Sequence, residues 1–381
     1  MIQCAEALST ARNTDAALDE VAAKLTGALG GESADLTLIF ASIHHADSLD
    51  RIARTLRDRG LARVVLGCTC ESVVGEGREI EGSTALAVWS ARLPGAELAT
   101  FAVEGDAGWP ESAGTDPANA VILLADPFRF PIDNFLHRVA TDRPGTRIMG
   151  GMASGGSSPG QNRLLLGDVA HTEGAVGVVI RGDVAIRTVV SQGCRPIGRP
   201  MIVTKAERNI IRELGRVPAL EVVQELFGEL SEDDQELVKT GLHIGRVINE
   251  YQESFGRGDF LVRNVMGADQ EGGIAISDLV RVGQTVQFHV RDAETADEDL
   301  RQLLAKAKAE GPAEGALVFT CNGRGSRFFR EPDHDVRTVR DILGPIPAAG
   351  FFAMGELGPV GGQNFIHGFT ASVVLFGQVK A

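Results

Sequence analysis

Short apolar runs bounded by polar turn residues recur three times along the chain, and each run opens a segment of the same kind. Runs of this length that are rich in β-branched residues are typical of largely buried strands. A helical segment follows each run, then a second apolar run that leads into glycines, and then a third apolar run. The pattern predicts three copies of one unit, namely strand, helix, strand, glycine-rich loop and strand. The opening runs are LTLIFAS (36–42), AVILLAD (120–126) and ALVFTCN (316–322).

The glycine-rich loops and the closing strands complete each unit. The loops lie within 63–77, 147–160 and 349–362, and the closing strands are predicted at 84–90, 175–182 and 370–377. Because a helix joins the first two strands of a unit, these strands should be parallel with a right-handed connection. The carboxyl end of the first strand and the glycine-rich loop then share the sheet edge at which open α/β sheets bind ligands.

The helix of each unit is expected to begin with an aspartate that accepts hydrogen bonds from first-turn amides and to end at a glycine. These pairs are Asp47 with Gly60, Asp133 with Gly145, and Asp333 with Gly344. The helices are apolar along one stripe only, so each covers one face of a sheet. Because the strands look buried on both faces, we expect an α/β fold with a layered helix–sheet–sheet–helix arrangement and internal pseudo-symmetry. A doubly wound single sheet is the alternative.

Residues 217–310 follow a different pattern. A helical segment at 217–241 has a proline near its start and a glycine at its end. Short strands divided by turn residues follow, and a helix at 295–309 leads into the third unit. We therefore predict an N-terminal domain at 1–215 with two units. A C-terminal domain at 216–381 would hold an inserted α+β segment and the third unit at 316–377.

Composition excludes several classes of function. The 381 residues include 37 Lys and Arg against 51 Asp and Glu, a net charge of −14, which argues against nucleic-acid binding. No apolar run is long enough for a membrane helix. Five cysteines without a C-x-x-C pair, and no N-terminal run of signal-peptide type, predict a reducing cytoplasm. The histidine spacing predicts no metal site, and no motif indicates a cofactor.

Five motifs resemble the FIST family. They are VGQTVQFHVRDAETADEDL (282–300), FTCNGRGSRFFREPDHD (319–335), GFFAMGELGPVGGQNFIHGFTASVVLF (350–376), LGCTCES (66–72) and MGGMASGG (149–156). The resemblance runs from about residue 30 to 377. It implies a FIST N module followed by a FIST C module, which is an intracellular sensory module for signal transduction. It also implies a small-molecule ligand such as an amino acid, and a possible signalling protein as partner. The oligomeric state stays open.

The candidate ligand site lies at the sheet edge of the third unit. Arg324, between two glycines, could present its guanidinium group to a carboxylate, and Glu356 could meet an amino group. An amino acid or similar zwitterion matches this pair of charges. The alternative is that Arg324 and Glu356 pair with each other. The candidate residues are Cys321, Asn322, Arg324, Gly355, Glu356, Gly361, Gly362, Asn364, Gly150 and Gly151.

Cys321 raises a second possibility, because the other two units have alanine at the equivalent position. A nearby cation or base would make it a reactive thiol, whereas the simpler interpretation is a small buried residue at a strand end. Three classes of function therefore remain, namely a ligand-binding sensory protein, a thiol-dependent enzyme and an interaction scaffold without a small ligand. No catalytic motif favours the enzyme, so the sensory protein is our prediction.

Overall fold

The structure is a computed structural model that describes residues 1–256 and 258–379. The chain forms two compact units, one of Met1–Ser191 with Leu300–Ala381 and one of Gln192–Asp299. Seven α-helices and mixed sheets in the described residues confirm the α/β class. None of these helices is both long and apolar enough to cross a bilayer.

The first repeat contains two parallel strands joined by a helix, as predicted. Its elements are β1 (Gln3–Ser9), α1 (Thr14–Leu29), β2 (Ala34–Ser42), α2 (Leu49–Asp58), β3 (Ala62–Cys70), β4 (Val73–Gly75), β5 (Arg78–Ile80) and β6 (Leu86–Arg92). β2 is parallel to β3, and β6 lies between β1 and β2 and is antiparallel to both. The glycine-rich loop is itself a hairpin, formed by β4 and β5.

The second and third repeats follow the same order. The second has β7 (Ala96–Val103), β8 (Ala120–Ala125), α3 (Ile132–Asp142), β9 (Ile148–Met152), β10 (Leu164–Leu166), β11 (Val169–His171) and β12 (Ala175–Gly182). The third begins with β13 (Val184–Gln192) and resumes after residues 192–299, which form the second compact unit.

The second compact unit is built mainly of antiparallel strands. Its elements are β14 (Cys194–Glu207), β15 (Ile210–Leu214), β16 (Val217–Pro218), α4 (Ala219–Glu229), α5 (Glu232–Thr240), β17 (Leu242–Val247), β18 (Phe260–Ala268), β19 (Ile274–Ile276) and β20 (Thr285–Arg291). The strand order is β14-β20-β17-β18-β19-β15-β16, and β14 also pairs with β15. Six strands therefore form a closed ring around an apolar core that includes Ile211, Ile244 and Phe288.

The remaining elements complete the third repeat. They are α6 (Ala293–Glu310), β21 (Gly315–Cys321), α7 (His334–Leu343), β22 (Ala348–Ala353), β23 (Glu356–Val360), β24 (Gln363–His367) and β25 (Thr370–Gln378). β21 is parallel to β22, and β8 is parallel to β9 in the second repeat. The predicted parallel pairs are thus present in all three repeats.

Each repeat has one hairpin, and it extends the sheet of another repeat. The hairpins are β4–β5 in the first repeat, β10–β11 in the second and β23–β24 in the third. The strand orders are β1-β6-β2-β3-β10-β11, β7-β12-β8-β9-β23-β24 and β13-β25-β21-β22-β4-β5. The first repeat therefore extends the third sheet, the third extends the second, and the second extends the first. This cyclic exchange leaves no repeat with a complete six-stranded sheet of its own.

One core joins the inner faces of the three sheets. It contains Phe40 from β2, Leu124 from β8 and Phe319 from β21, each with no measurable exposure. The outer faces are covered separately, the first sheet by α1 and α2, the second by α3, and the third by α6 and α7. The apolar stripes of the helices thus cover the outer sheet faces, as their one-sided pattern predicted.

The helix starts differ from the prediction. Asp47 lies in a 3₁₀ turn at Ile43–Ser48 before α2, and Asp133 lies inside the first turn of α3 because that helix begins right after Pro131. Asp333 precedes α7 but makes no capping bond there; its Oδ1 accepts a hydrogen bond from the Glu79 amide at 2.6 Å. The prediction that these aspartates cap their helices was therefore wrong.

The cap of α7 comes from another repeat. Oε1 of Glu79, on β5, accepts hydrogen bonds from the amides of Asp335 at 2.9 Å and Val336 at 3.0 Å. A carboxylate at this position satisfies amides that have no partner inside the helix. The exchanged hairpin is thus tied to the third repeat by its side chains as well as by its strands. The helix ends follow the prediction more closely, with Gly60 just after α2 and Gly344 closing α7, both at positive φ.

Candidate functional site

The three glycine-rich segments meet at the carboxyl ends of β3, β9 and β22. We call this place the junction; it consists of residues 69–72, 152–155 and 352–355. The Ser154 amide donates to the Thr69 carbonyl at 3.2 Å, and the Phe352 amide donates to the Ser72 carbonyl at 3.0 Å. The Ser154 hydroxyl also donates to the Phe352 carbonyl. The hairpin exchange therefore brings the strand ends of all three repeats into direct contact.

Arg324 is fully buried beside the junction and is paired with Asp335. Nε and Nη2 donate to the two carboxylate oxygens at 2.8 and 2.7 Å, and Nη1 lies 3.4 Å from the Phe369 carbonyl. Burial alone would raise the pKa of Asp335, but the charge and hydrogen bonds of Arg324 lower it well below its usual value. The alternative in which Arg324 pairs with Glu356 is thus wrong, since the ion-pair partner of Arg324 is Asp335.

Local sequence explains this pairing. Thr320, near the end of β21, donates to Asp335 Oδ2, and Asp335 begins the buried stripe of α7 that continues at Val336 and Val339. The loop between β21 and α7 therefore brings Arg324 onto the start of that helix. The three guanidinium nitrogens of Arg324 already have protein acceptors, so Arg324 forms a structural ion pair with Asp335. Few of its N–H groups are left for a ligand carboxylate.

Glu356, the first residue of β23, is fully buried but only half satisfied. Its Oε2 accepts hydrogen bonds from the Thr370 amide at 3.2 Å and hydroxyl at 2.8 Å, whereas Oε1 makes no hydrogen bond of normal geometry with any described residue. Burial raises the pKa of Glu356 to about 8, against the lowering effects of Thr370, Arg324 and the Cys321 thiol. The group is therefore largely a neutral carboxylic acid at neutral pH.

Cys321 lies next to this carboxyl group, and Asn322 follows it at the end of β21. Cys321 is partly exposed at the end of β21, and its sulfur accepts a hydrogen bond from the Gly323 amide at 3.4 Å. The Asn322 amide donates to the Ala353 carbonyl at 3.0 Å, while Asn322 Oδ1 is buried without a hydrogen-bond partner among the described residues. Two buried oxygen atoms, Glu356 Oε1 and Asn322 Oδ1, thus have no hydrogen-bond partner among the described residues, and the Cys321 thiol lies close enough to Glu356 to lower its pKa. Buried acceptors in native proteins usually have a partner, so a ligand donor is a natural explanation.

The predicted glycines serve the backbone. A Cβ on Gly150 would lie 1.9 Å from the Leu123 carbonyl oxygen, and one on Gly151 would lie 2.9 Å from the Ala353 side chain. Gly355 lies in the junction, where its carbonyl accepts from the Met152 amide at 2.9 Å. Gly150 allows the close approach of β8 and β9 within the second repeat, whereas Gly151 and Gly355 allow close packing between the second and third repeats.

The hairpin tip is remote from the junction. Gly361 and Gly362 both have positive φ and form the exposed turn between β23 and β24. Five strand residues, roughly 17 Å at 3.4 Å per residue, separate this turn from the start of β23. Asn364 holds β24 against the second repeat, since it accepts from the Ile148 amide at 2.9 Å and donates to the Thr146 carbonyl at 2.7 Å. The structure brings together Cys321, Asn322, Arg324, Gly355 and Glu356, and Gly151 and Gly150 lie beside them on β9 as the strand partners of Glu356 and Leu357. It places Gly361, Gly362 and Asn364 toward the other end of the hairpin.

The other cysteines and the potential metal ligands show no sign of a reactive or metal-binding arrangement in the described residues. Cys68 and Cys70 are fully buried with their sulfur atoms 3.7 Å apart, and all five cysteines are reduced thiols. Within residues 1–256 and 258–379, no group of three or more His, Cys, Asp or Glu side chains is arranged to hold a metal ion.

Sequence reasoning missed Asp335, Thr370 and Glu79. Asp335 did carry a signal, because it lies four residues before Val339 and so falls on the apolar stripe of α7. An acidic residue on such a stripe needs a buried cation. Thr370 and Glu79 gave no comparable signal, since their roles depend on which strands pair.

The comparison with known proteins agrees with this architecture. The chain belongs to the FIST family: a FIST N domain matches residues 35–216 and a FIST C domain matches residues 219–359. FIST domains are associated with sensory signal transduction.

Mycobacterial relatives match nearly the whole chain. Uncharacterized protein Rv0628c of Mycobacterium tuberculosis is 43% identical over 376 residues, which is 97% of this chain and 98% of the relative. Uncharacterized protein Mb0898c of Mycobacterium bovis is 42% identical over 364 residues, with 94% of each chain covered.

Proposed function

We propose that this protein is a sensory protein that binds a small metabolite bearing an amino group, with amino acids as the ligand class. The observation that carries this proposal is that two buried side-chain oxygen atoms of the same region, Glu356 Oε1 and Asn322 Oδ1, have no hydrogen-bond partner among the described residues. An ammonium group has three donors and no acceptor, so it can donate a hydrogen bond to each of these two oxygen atoms.

The raised pKa of Glu356 gives this binding a distinct signature. A neighbouring cation favours the ionised form of a carboxyl group. Glu356, with a pKa of about 8 without ligand, would then release a proton when an ammonium group binds near neutral pH. The charge of Arg324 favours the ionised form of Glu356, while its own hydrogen bonds go to Asp335 and the Phe369 carbonyl. Recognition of a ligand carboxylate by Arg324 is not part of this proposal.

The site also suggests how a ligand could be sensed. Glu356 begins a hairpin that extends the sheet of the second repeat. Cys321 ends β21, in the sheet of the third repeat, and Asn322 follows it. A ligand between them would contact the exchanged hairpin and the sheet of the third repeat at once. We propose that ligand binding changes the position of this hairpin on the sheet of the second repeat, and that a signalling protein partner recognises the changed surface.

Three broader expectations accompany this proposal. The layered helix–sheet–sheet–helix arrangement with pseudo-symmetry is supported by three helix-covered sheets with equivalent strand orders around one core. A functional division near residue 215 is supported by the two adjoining family matches. Reduced thiols favour a reducing cytoplasm as the location.

We expect an amino acid or related amine to raise the melting temperature of the wild-type protein. A ligand at 100 times its Kd stabilises the native state by about 2.7 kcal/mol. Differential scanning fluorimetry with a panel of amino acids and amines would detect the shift. Calorimetry in two buffers of different ionisation enthalpy would then measure the released proton.

Glu356→Gln should abolish both the shift and the proton release, because glutamine cannot form an ion pair with an ammonium group and has no proton to release. Glu79→Gln is the matched control, since Glu79 is also buried with a pKa raised to about 8 by burial but caps α7 instead of facing Cys321. If no amine stabilises the protein, or if Glu356→Gln responds like the wild type, the scaffold hypothesis replaces this proposal.

A further inference from the structure

A polar cleft of about 780 Å³ lies on the first compact unit, and none of its lining residues belongs to the junction. Its walls combine two arginines and a histidine with hydroxyl groups, and they include no acidic residue. The lining residues are Thr10, Arg12, His44, Arg78, Ile80, Gly82, Ser83 and Thr84. A lining of this kind is unexpected in a chain with a net charge of −14.

The two arginines of the cleft lack the partners that the neighbouring arginines have. In the first repeat, six other arginines lie within ion-pair distance of a carboxylate, namely Arg51, Arg54, Arg57, Arg59, Arg63 and Arg92. No ion pair or hydrogen bond with another described residue involves the side chain of Arg12 or Arg78. The cleft thus concentrates unneutralised positive charge where an anion can reach it.

The exchanged hairpin creates this cleft. Thr10 and Arg12 follow β1, and His44 follows β2, so they lie at the carboxyl ends of two strands that share a direction. Arg78 and Ile80 come from β5, which belongs to the edge of the third sheet. The cleft therefore lies where the hairpin leaves its own repeat. The carboxyl edge of an α/β sheet is a frequent place for ligands.

The N-terminus of α1 adds to the positive field. Asn13 caps this 16-residue helix and accepts from the Ala16 amide at 3.0 Å, and Arg12 directly precedes the cap. The helix dipole therefore favours an anion at this end. Two guanidinium groups can each bind a pair of oxygens, whereas a single carboxylate offers only one pair. Phosphate and pyrophosphate groups offer more.

We propose that this cleft binds the phosphate groups of a small phosphorylated metabolite. Arg12 and Arg78 bind the phosphate oxygens, His44 and the hydroxyl groups donate further hydrogen bonds, and Ile80 forms an apolar wall for the rest of the ligand. The cleft volume lies within the range of roughly 300–1,000 Å³ that is common for small-molecule sites. This site is separate from the proposed amine site and shares no residue with it.

Isothermal titration calorimetry of the full chain tests the proposal, with pyrophosphate, inorganic phosphate and citrate as probes at constant ionic strength. Pyrophosphate should bind, and both Arg12→Gln and Arg78→Gln should weaken its affinity about tenfold or more, because a hydrogen bond to a charged group is lost. Arg330→Gln is the matched control, since Arg330 is also an exposed arginine, lies outside the cleft and has no ion pair with another described residue. It should bind pyrophosphate as the wild type does.

Several results would overturn the proposal. These are no heat of binding for pyrophosphate or phosphate, tighter binding of citrate than of pyrophosphate, or equal affinity in the wild type and both cleft variants. Because Arg12 and Arg78 are exposed, the variants should keep the wild-type melting temperature, and the affinity change then reports on the cleft alone. Glu356→Gln should leave pyrophosphate binding unchanged, so that this test stays independent of the amine site.

Discussion

Asp335→Ala is expected to lower the free energy of unfolding by about 3–5 kcal/mol, because it leaves a buried arginine without its counter-charge. Arg324 and Asp335 are 0% and 1% exposed in their side chains, and two hydrogen bonds of 2.7 and 2.8 Å join them. Urea unfolding measured by tryptophan fluorescence would give the change. Trp89 and Trp109 both lie in the first compact unit, which contains the ion pair, so the signal reports the relevant unit.

Two further variants separate this explanation from a general loss of packing. Glu331→Ala removes a partner of Arg337 from an exposed pair at 3.0 Å and should change stability by less than about 1 kcal/mol. Replacing both partners, Arg324→Met with Asp335→Leu, should recover much of the loss, because no uncompensated charge remains. If Asp335→Ala were no more destabilising than Glu331→Ala, the buried pair would not hold this region together.

Gly350→Ala should be the most damaging of the small substitutions, with a cost of about 4 kcal/mol or more and a loss of soluble protein. A Cβ at this position would lie 1.7 Å from the carbonyl oxygen of Val318, which is backbone of the parallel partner strand and cannot move aside. Soluble yield and melting temperature measure the effect.

Gly27→Ala provides the control for this substitution. Gly27 lies inside α1, and a Cβ added there would have no neighbouring atom within 4 Å, so alanine should stabilise the protein by roughly 0.5–1 kcal/mol. A Gly350→Ala variant that folds with the melting temperature of the wild type would contradict the strand spacing described above.

The same glycine recurs in all three repeats. Gly67 faces Ile39 in the first repeat, Gly150 faces Leu123 in the second, and Gly350 faces Val318 in the third. In each case a Cβ would collide with the carbonyl oxygen of the partner. The glycines that marked the repeats in the sequence are thus needed for close approach of parallel strands. Their recurrence indicated the repeat correctly, but ligand binding was not the reason for it at Gly150.

The opening and closing strands of the three predicted units could be predicted from the sequence because their signals are local. Each of these strands lies within two residues of its predicted bounds at both ends. The opening strands are β2, β8 and β21, and the closing strands are β6, β12 and β25. Alternation, apolar runs and turn residues act over a few neighbouring positions. Side chains buried on both faces also make the pattern strong.

The hairpin exchange could not be predicted in this way. Strands at a sheet edge pair through backbone N–H and C=O groups, which nearly all residues have. The side chains of β4 and β5 therefore do not indicate which sheet these strands extend. The capping of α7 by Glu79 follows from that choice of edge, as does the cleft at Arg12 and Arg78. Asp335 was missed as the partner of Arg324 for a related reason, since Asp333 and Asp335 both lay in the segment expected to begin α7. The structure shows that only Asp335 turns inward.

Native mass spectrometry of the protein purified gently from its host tests the central claim most directly. An amine-bearing metabolite held at Glu356 and Asn322 should add a small mass increment to the wild-type protein. The increment should disappear on denaturation and should be absent from Glu356→Gln. An increment of equal size on both proteins, or none on the wild type under any growth condition, would contradict the claim. An increment that survives denaturation and maps to Cys321 would contradict it in favour of a thiol-dependent enzyme.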